Sequence, residues 1–252
     1  MTVETPAHVP QPGTGSRSGP PGLPDSSRQA ARIGGGSYLI MFVLAIFANF
    51  VVRENLIESG DPAATVANIT GSIGLFRLGL ISFLVIFILD VVISWALYVV
   101  FRETNPDLSL AAAWFRLVYT ALLGVALVSL FEVLEILTQP AALGLVGADQ
   151  INAETMMALA SFESMWRIGL TAFGIHLILV GVLIRYSGVV SKMLGYILMA
   201  AGMAYVFDTI AYGLLTDYQD VEALFQAAVA LPSVVGEGWL GFWLLLTRKL
   251  PT

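Results

Sequence analysis

A long apolar segment between Phe76 and Phe101 most constrains what this chain can form. It holds only two charged residues, Arg77 near its start and Asp90 near its middle. About 20 consecutive apolar residues cross the hydrocarbon core of a bilayer as an α-helix, so the segment is long enough to span a membrane. An ionised side chain at the centre of a lone span costs roughly 2.5–3.5 kcal/mol. Asp90 therefore predicts that the segment packs in a bundle with a polar interior.

Other segments of the chain are similarly apolar, which predicts an all-α integral membrane bundle of six transmembrane helices. The predicted spans cover residues 33–52, 74–101, 108–137, 162–186, 193–215 and 223–246. We expect a disordered tail rich in Pro, Gly and Ser at residues 1–32, a transmembrane domain at 33–247 and a short C-terminal end at 248–252. Asp61 followed by Pro62 predicts the start of a short surface helix. Residues 138–160 are expected to form a long loop that ends in a weakly amphipathic segment.

Composition supports a membrane protein and excludes several other classes. Apolar residues make up 57% of the 252 residues and charged residues 12%, against about 25% charged residues in soluble domains. The chain has no basic patch, so no nucleic-acid partner is expected. It has no cysteine, which excludes disulfides and thiolate chemistry. His176 is the one histidine within a predicted span, which excludes haem held by two histidines and multi-histidine zinc sites. No cofactor and no metal are predicted.

The distribution of Lys and Arg indicates the orientation of the bundle, because cytoplasmic loops carry an excess of these residues. With a cytoplasmic N-terminus, the only basic residue on the far side is Arg53. The cytoplasmic side then holds all the other basic residues outside the spans: Arg17, Arg28, Arg32, Arg102, Arg185, Lys192, Arg248 and Lys249. We therefore expect both termini to be cytoplasmic.

Four ionisable residues are predicted to share a middle layer of the bundle. A rise of about 1.5 Å per residue places Asp90, Arg116, His176 and Glu237 at similar depths. In one interpretation, Arg116 pairs with Asp90 and locks two spans together, while the other two residues hydrogen-bond in the core. In the other, the layer relays a proton or binds an ion, as Asp, Glu and His do in many membrane proteins. A proline and two glycines near Glu237 indicate either a locally broken helix, as in transporter binding sites, or a close helix crossing.

A second group of charges is predicted in the outer half of the bundle, namely Arg77, Glu132, Glu135, Glu163, Arg167 and Asp208. Glu163 and Arg167 are four residues apart, so they can pair on one helix face. Arg77 and Arg167 lie in similar aromatic-Arg-aliphatic-Gly motifs, and we expect them to converge with the carboxylates on one cavity open to the outside. Asp208 is the candidate for proton exchange, because its neighbours on the helix offer hydroxyl groups but no positive charge. Alternatively, these side chains extend to water at the interface.

Several motifs resemble those of a bacterial membrane family known as domain of unknown function 4386. They are the opening GGSYLIMFVLAIFANFVVRENLI, GDPAAT at 60–65, LFRLG at 75–79 with Asp90 downstream, and FRL at 115–117. The resemblance covers about residues 34–246. It implies a multi-pass protein of a bacterial cytoplasmic (inner) membrane, and it supplies no activity, ligand or catalytic residue.

Two classes of function remain open. The first is a small-ligand or proton-coupled carrier or sensor with a polar cavity inside the membrane. The second is a structural or accessory subunit whose buried charges only specify helix packing. No nucleophile with an adjacent general base is evident, so an enzyme is the less favoured interpretation. The expected partners are the lipid bilayer and an unidentified small ligand or ion, and the sequence leaves the oligomeric state open.

Overall fold

The computed structural model describes residues 26–139, 147–247 and 249–251. The predicted tail at 1–25, part of the predicted loop at 140–146, and Arg248 lie outside these residues. Within the described part of the chain, six helical segments are long and apolar enough to cross a membrane. The prediction of a six-span helical membrane bundle is therefore confirmed.

The described elements follow one another along the chain with short connections. The first span combines α1 (Ser26–Ile46), a π-helical segment (Phe47–Arg53) and the short α2 (Glu54–Leu56). The later elements are α3 (Pro62–Gly71), α4 (Ile73–Phe101), α5 (Pro106–Thr138), α6 (Ala148–Ser187), α7 (Lys192–Leu214) and α8 (Tyr218–Leu246). The ends of α2, α5 and α7 lie on one side of the bundle, which we name the loop side. The opposite end, where α1 begins and α8 ends, is named the terminal side.

Two helices are longer than the sequence patterns predict. Residues 26–32 begin α1, although their composition predicted a disordered tail, and Ala30 and Ala31 in this stretch are buried. Residues 148–160 begin α6, although they were predicted as part of a loop. Ile151, Thr155 and Ala158 recur at helical spacing and are buried, and α3 packs against α6. These contacts stabilise a helical turn where the sequence alone shows only weak amphipathicity.

The short helix α3 begins as predicted. Asp61 is its N-cap, and its Oδ1 accepts a 2.9 Å hydrogen bond from the backbone N–H of Ala64, while Pro62 occupies the first turn. Thr65 Oγ1 donates to the backbone carbonyl of Glu58 and accepts from the Glu58 N–H. These bonds fix the connection between α2 and α3 at the loop side.

The six spans form a closed ring in which each helix packs against two neighbours. The order around the ring is α1, α4, α5, α6, α7 and α8, and α8 closes it against α1. Glycines permit the closest approach, between α6 and α7. A Cβ atom at Gly202 would lie 2.3 Å from the carbonyl oxygen of Gly174, and one at Gly181 would lie 2.5 Å from that of Gly195.

The helix α8 continues through Pro232 without a break, from Tyr218 to Leu246. Gly236 packs closely against α7, since a Cβ atom there would lie 2.9 Å from the Leu198 side chain. Of the two interpretations of the glycines beside Glu237, the structure therefore has the close helix crossing and not the broken helix.

Candidate functional site

Arg116 lies at the centre of the ring and contacts three other spans. Its Nη2 donates a 2.5 Å hydrogen bond to Asp90 Oδ1 on α4, and its Nη1 donates a 2.8 Å bond to the Tyr38 hydroxyl on α1. Nη1 also lies 3.2 Å from His176 Nε2 on α6. The Arg116 side chain is fully buried. We name Tyr38, Asp90, Arg116 and His176 the central cluster.

The hydrogen bonds of His176 define its protonation. Its Nδ1 lies 2.8 Å from the carbonyl oxygen of Ala112, which can only accept a hydrogen bond, so Nδ1 carries a proton. Nε2 faces the Arg116 guanidinium, which can only donate, so Nε2 accepts. The imidazole is therefore neutral. Arg116 also lies over the rings of Tyr38 and Phe173, at 5.0 and 5.2 Å from their centroids, which adds cation–π attraction to the ion pair.

The central cluster still has unsatisfied polar atoms. Asp90 Oδ2 and Arg116 Nε are buried and have no hydrogen-bond partner within the described part of the chain. Glu237 on α8 is half-buried and close enough to Arg116, Asp90 and Tyr38 to interact with them electrostatically. No hydrogen bond or ion pair to its carboxylate is found among the described residues. Buried polar atoms in native proteins are normally hydrogen-bonded, either to protein groups or to ordered water.

The predicted pairing of Arg116 with Asp90 is confirmed, and His176 belongs to the same cluster. Tyr38 was missed by sequence reasoning. It lies two residues after Gly36, the last glycine of the opening of the first span, and a run of apolar residues follows it. A tyrosine there is also a common interfacial anchor, so the sequence held no signal that its hydroxyl reaches Arg116.

A second cluster surrounds Arg167 toward the loop side, and we name it the Arg167 cluster. Arg167 Nη1 donates a 2.9 Å hydrogen bond to the Tyr218 hydroxyl, and its guanidinium lies 3.6 Å from Asp208 and 3.5 Å from Glu222. The Tyr218 hydroxyl in turn donates a 2.5 Å hydrogen bond to Asp208 Oδ1. The guanidinium lies 4.1 Å from the ring centroid of Tyr212. Arg167 and Asp208, which the sequence predicted to share one site, therefore lie together, and the positive neighbour of Asp208 comes from another helix.

Glu163 pairs with Arg53 and not with Arg167, so the predicted pair on one helix face is wrong. Arg53 lies at the end of the π-helical segment, donates to Asn49 Oδ1, and lies over the rings of Phe162 and Trp166. Sequence reasoning missed Arg53 because it took this residue as the polar exit of the first span. The pair joins the first span to α6 near the loop side.

Arg77, Glu132 and Glu135 are exposed on the surface of the bundle and do not join either cluster. Phe76, Gly79 and Phe83 are among the buried residues around Arg77 on α4, whereas Arg77 itself is exposed, so its side chain points away from the centre. Similarly, Leu130, Val133 and Leu137 are the buried residues around the two glutamates on α5. The predicted convergence of Arg77 and Arg167 on one cavity is therefore wrong.

Two cavities are described at the surface of the bundle, and neither is lined by the central cluster. The larger, of about 480 Å³, lies between α7 and α8. The smaller lies beside Arg53 and Val52, near the loop side. Among the described residues, no group of three or more His, Cys, Asp or Glu side chains is placed to hold a metal ion.

Comparison with known proteins identifies the family of this chain. A family model described as "Domain of unknown function (DUF4386)" matches residues 33–247. The chain belongs to this family. The match begins where the first predicted span begins, and it extends just past the end of α8. Apart from residues 26–32 at the start of α1, the six-span ring and both clusters therefore lie within the family domain.

A relative of this domain occurs in an archaeon. The chain is 28% identical over 172 residues to a protein of Archaeoglobus fulgidus that is named only "Uncharacterized protein". The alignment covers 68% of this chain and 85% of the relative. No solved structure matches the chain. These comparisons identify a family of unknown function, and the chemistry of the site rests on the geometry described above.

Proposed function

We propose that the centre of the ring exchanges a proton or binds a small polar ligand, as part of a proton-coupled carrier or sensor. The observation that carries this proposal is the carboxylate of Glu237, which interacts electrostatically with Arg116, Asp90 and Tyr38 but has no hydrogen-bond partner among the described residues. In the central cluster, Asp90 Oδ2 is buried and has no hydrogen-bond partner in the described part of the chain. Ionisable groups inside membrane spans commonly belong to proton or ion pathways.

The charges of the centre support exchange of a proton. Two carboxyl groups, of Asp90 and Glu237, share one guanidinium, that of Arg116, and the imidazole of His176 is neutral. The short hydrogen bond from Arg116 assigns its charge to Asp90. Glu237 then has no counter-ion of its own in a low-dielectric interior, where an unpaired charge is costly. A proton on Glu237 makes the centre neutral, and its release leaves a negative charge that a bound cation can compensate.

A structural or accessory role is the second candidate, and it is favoured by a different observation. Arg116 is fully buried and joins α5 to α1, α4 and α6. A buried charged residue with partners on several helices specifies one arrangement of those helices. In this account, the charges have no role beyond assembly, and Glu237 only packs at the close crossing of α8.

Labelling with a hydrophobic carbodiimide separates the two candidates, because this reagent reacts with protonated carboxyl groups inside membranes. The purified protein in nanodiscs is treated at several pH values, and the labelled peptides are identified by mass spectrometry. We expect labelling at Glu237 that decreases as the pH rises, and loss of that label in Glu237→Gln. Glu135→Gln is the matched control, because Glu135 is exposed on α5. Absence of label at Glu237 at every pH supports the structural role instead.

We also propose that the bundle lies in the cytoplasmic membrane of a bacterium with both termini in the cytoplasm. Helical spans favour that membrane, because the proteins of the bacterial outer membrane are typically β-barrels. The orientation is supported by the excess of basic residues on the terminal side, because cytoplasmic loops carry such an excess. Arg102, Arg185 and Lys192 lie on the terminal side, whereas Arg53 lies toward the loop side. The loop side would then face outward.

A further inference from the structure

Close packing brings three spans together between the centre of the ring and the terminal side. A Cβ atom at Gly35 on α1 would lie 2.5 Å from the backbone nitrogen of Leu245 and 2.8 Å from the carbonyl oxygen of Gly241, both on α8. One at Gly34 would lie 2.7 Å from the Cβ atom of Ala96 on α4. The first span therefore touches both of its neighbours at close range, and no water fits between helices that are packed in this way.

Two buried hydroxyl groups on the same side of the centre are committed to backbone carbonyls. Ser94 lies one turn from Asp90 toward the terminal side, and its Oγ donates a 2.9 Å hydrogen bond to the carbonyl oxygen of Ala113. Ser109 Oγ donates a 3.1 Å hydrogen bond to the carbonyl oxygen of Tyr98. A hydroxyl group has a single proton to donate, so neither serine donates a hydrogen bond toward the centre.

An unpartnered hydroxyl group lies on the other side of Glu237, toward the loop side. Ser233 is four residues before Glu237 on α8, so the two side chains share one face of the helix. Ser233 is only 6% exposed, and its Oγ has no hydrogen bond of normal geometry within the described part of the chain. Side chains on a helix lean toward its N-terminus, which for α8 is the loop side. The carboxyl group of Glu237 therefore leans toward Ser233.

Tyr205 on α7 continues this line of polar groups. It is close enough to Ser233 and Glu237 to interact with both. Its ring packs edge-on against Phe173, with 5.5 Å between the ring centroids, and Phe173 stacks on His176. Tyr205 therefore borders the central cluster. Its side chain leans toward the N-terminus of α7, which is the direction of Glu237.

Asp208 forms the loop-side end of the line. It follows Tyr205 by about one turn on α7, and the two side chains interact electrostatically. The hydroxyl group of Tyr218, the first residue of α8, donates a 2.5 Å hydrogen bond to Asp208. The side chains of Asp208 and Glu222 in this cluster are 13% and 36% exposed. This end of the line is therefore accessible from the loop side.

The other groups that interact with Glu237 belong to the central cluster, namely Arg116, Asp90 and Tyr38. Arg116 and Asp90 form an ion pair, and a guanidinium group does not release its protons in a protein. Tyr38 accepts a hydrogen bond from the same guanidinium. Tyr205 is thus the neighbour of Glu237 whose hydroxyl group lies outside the cluster, in the direction of the loop side.

We infer that Glu237 exchanges its proton with the loop side through the hydroxyl groups of Ser233 and Tyr205. The inference rests on the proton exchange proposed for the centre. Ser233 Oγ gives its proton to the Glu237 carboxylate and takes one from the Tyr205 hydroxyl, which takes one from a hydronium ion near Asp208. Both hydroxyl groups are neutral before and after, and Glu237 gains the single proton. A centre that is reached from one side responds to the pH of that side, which favours a sensor over a carrier.

Time-resolved infrared spectroscopy tests this route, because it follows the carboxyl band of Glu237 after a rapid drop in pH. Flash photolysis of a caged proton starts the reaction on the full-length protein in nanodiscs. Ser233→Ala and Tyr205→Phe should each slow the rise of the band about 100-fold, the lower end of what a positioned proton donor contributes. The band at equilibrium should remain in both variants, because Glu237 is retained.

Matched controls separate the two sides of the centre. Ser94→Ala removes a buried serine hydroxyl on the terminal side, and Tyr196→Phe removes an exposed tyrosine hydroxyl from the same helix as Tyr205. Neither substitution should change the rate. Size-exclusion chromatography checks the assembly of each variant, and if Tyr205→Phe does not assemble, Ser233→Ala decides.

The outcomes distinguish the route from the function on which it rests. A normal equilibrium band that rises at the parent rate in Ser233→Ala and Tyr205→Phe would overturn the route and leave proton exchange at Glu237 intact. Slowing by Ser94→Ala would also overturn the route, because it would indicate access from the terminal side. A parent protein without a Glu237 band would overturn the proposed function and, with it, this inference.

Discussion

Arg116 and Asp90 form a hydrogen-bonded ion pair between α5 and α4, with 2.5 Å between Nη2 and Oδ1, and both side chains are almost completely buried. The pair does not stand alone, because Tyr38 and His176 bind the same guanidinium through Nη1. Four of the six spans are therefore joined at one side chain. Because Oδ2 of Asp90 has no hydrogen-bond partner in the described part of the chain, it can accept a hydrogen bond from a further donor.

Breaking this pair from one side should destabilise the bundle more than removing it completely. Asp90→Leu or Arg116→Leu leaves one charge buried without its partner, and each should cost about 3–5 kcal/mol. The double variant should cost less than the sum of the two. Unfolding in mixed micelles, followed by circular dichroism, gives the free energies for a double-mutant cycle, with Arg77→Gln on the exposed face of α4 as the control. Strictly additive losses would show that the two side chains do not interact.

The Tyr38 hydroxyl should contribute measurably to stability, because it accepts a hydrogen bond from a charged donor. Tyr38→Phe removes this acceptor and should cost about 1.5–3 kcal/mol. Tyr98→Phe is the matched control, because the Tyr98 hydroxyl has no hydrogen bond among the described residues. The two variants are compared by the same unfolding assay. A loss for Tyr38→Phe no larger than that for Tyr98→Phe would argue against the contact with Arg116.

The close approach of α6 and α7 predicts a sharp difference between two Gly→Ala substitutions. In Gly202→Ala, the added methyl group would lie 2.3 Å from the Gly174 carbonyl oxygen, so the helices must separate. Overpacking of this kind typically costs about 1–3 kcal/mol. At Gly238 on α8 the same methyl group meets no atom within 4 Å, and Gly238→Ala should be nearly neutral. Equal melting temperatures for the two variants in detergent would contradict the described crossing.

The proposed orientation is testable with single cysteines, because the chain has none of its own. Asp61→Cys, Asp149→Cys and Asp217→Cys lie at exposed positions on the loop side and should react with an impermeant thiol reagent in intact cells. Glu103→Cys and Ser191→Cys, exposed on the terminal side, should react only after the membrane is opened. The reverse pattern would invert the proposed topology.

The sequence predicted those features that depend on local pattern or on the cost of a charge in lipid. The positions of the spans follow from the lengths of the apolar segments. The N-cap at Asp61 follows from the order of Asp61 and Pro62 in the sequence. The pairing of Asp90 with Arg116 follows because each is costly alone at mid-depth, and the two spans are adjacent in the chain. These features require no knowledge of how the helices are rotated.

Predictions that depended on helix rotation failed. The residues of α4 are apolar on every face, so periodicity does not reveal which face turns inward, and Arg77 was placed in the interior. The close contact between Gly79 and Val52, where a Cβ atom would lie 2.7 Å from the valine side chain, orients α4 with Arg77 outward. The pair of Arg53 with Glu163 was missed for a related reason. These residues are distant in the chain and meet only because α6 and the first span both reach the loop side.

Glu237 is the group on which the proposed proton exchange depends, and infrared difference spectroscopy between acid and neutral pH observes its carboxyl band directly. The spectra are recorded on the parent protein in nanodiscs, on Glu237→Gln, and on Glu135→Gln as the control. Proton exchange at the centre of the ring predicts a pH-dependent carboxyl band that disappears in Glu237→Gln and persists in the control. A parent spectrum without such a band, or one that Glu237→Gln leaves unchanged, would contradict the proposal and favour a purely structural role for the buried charges.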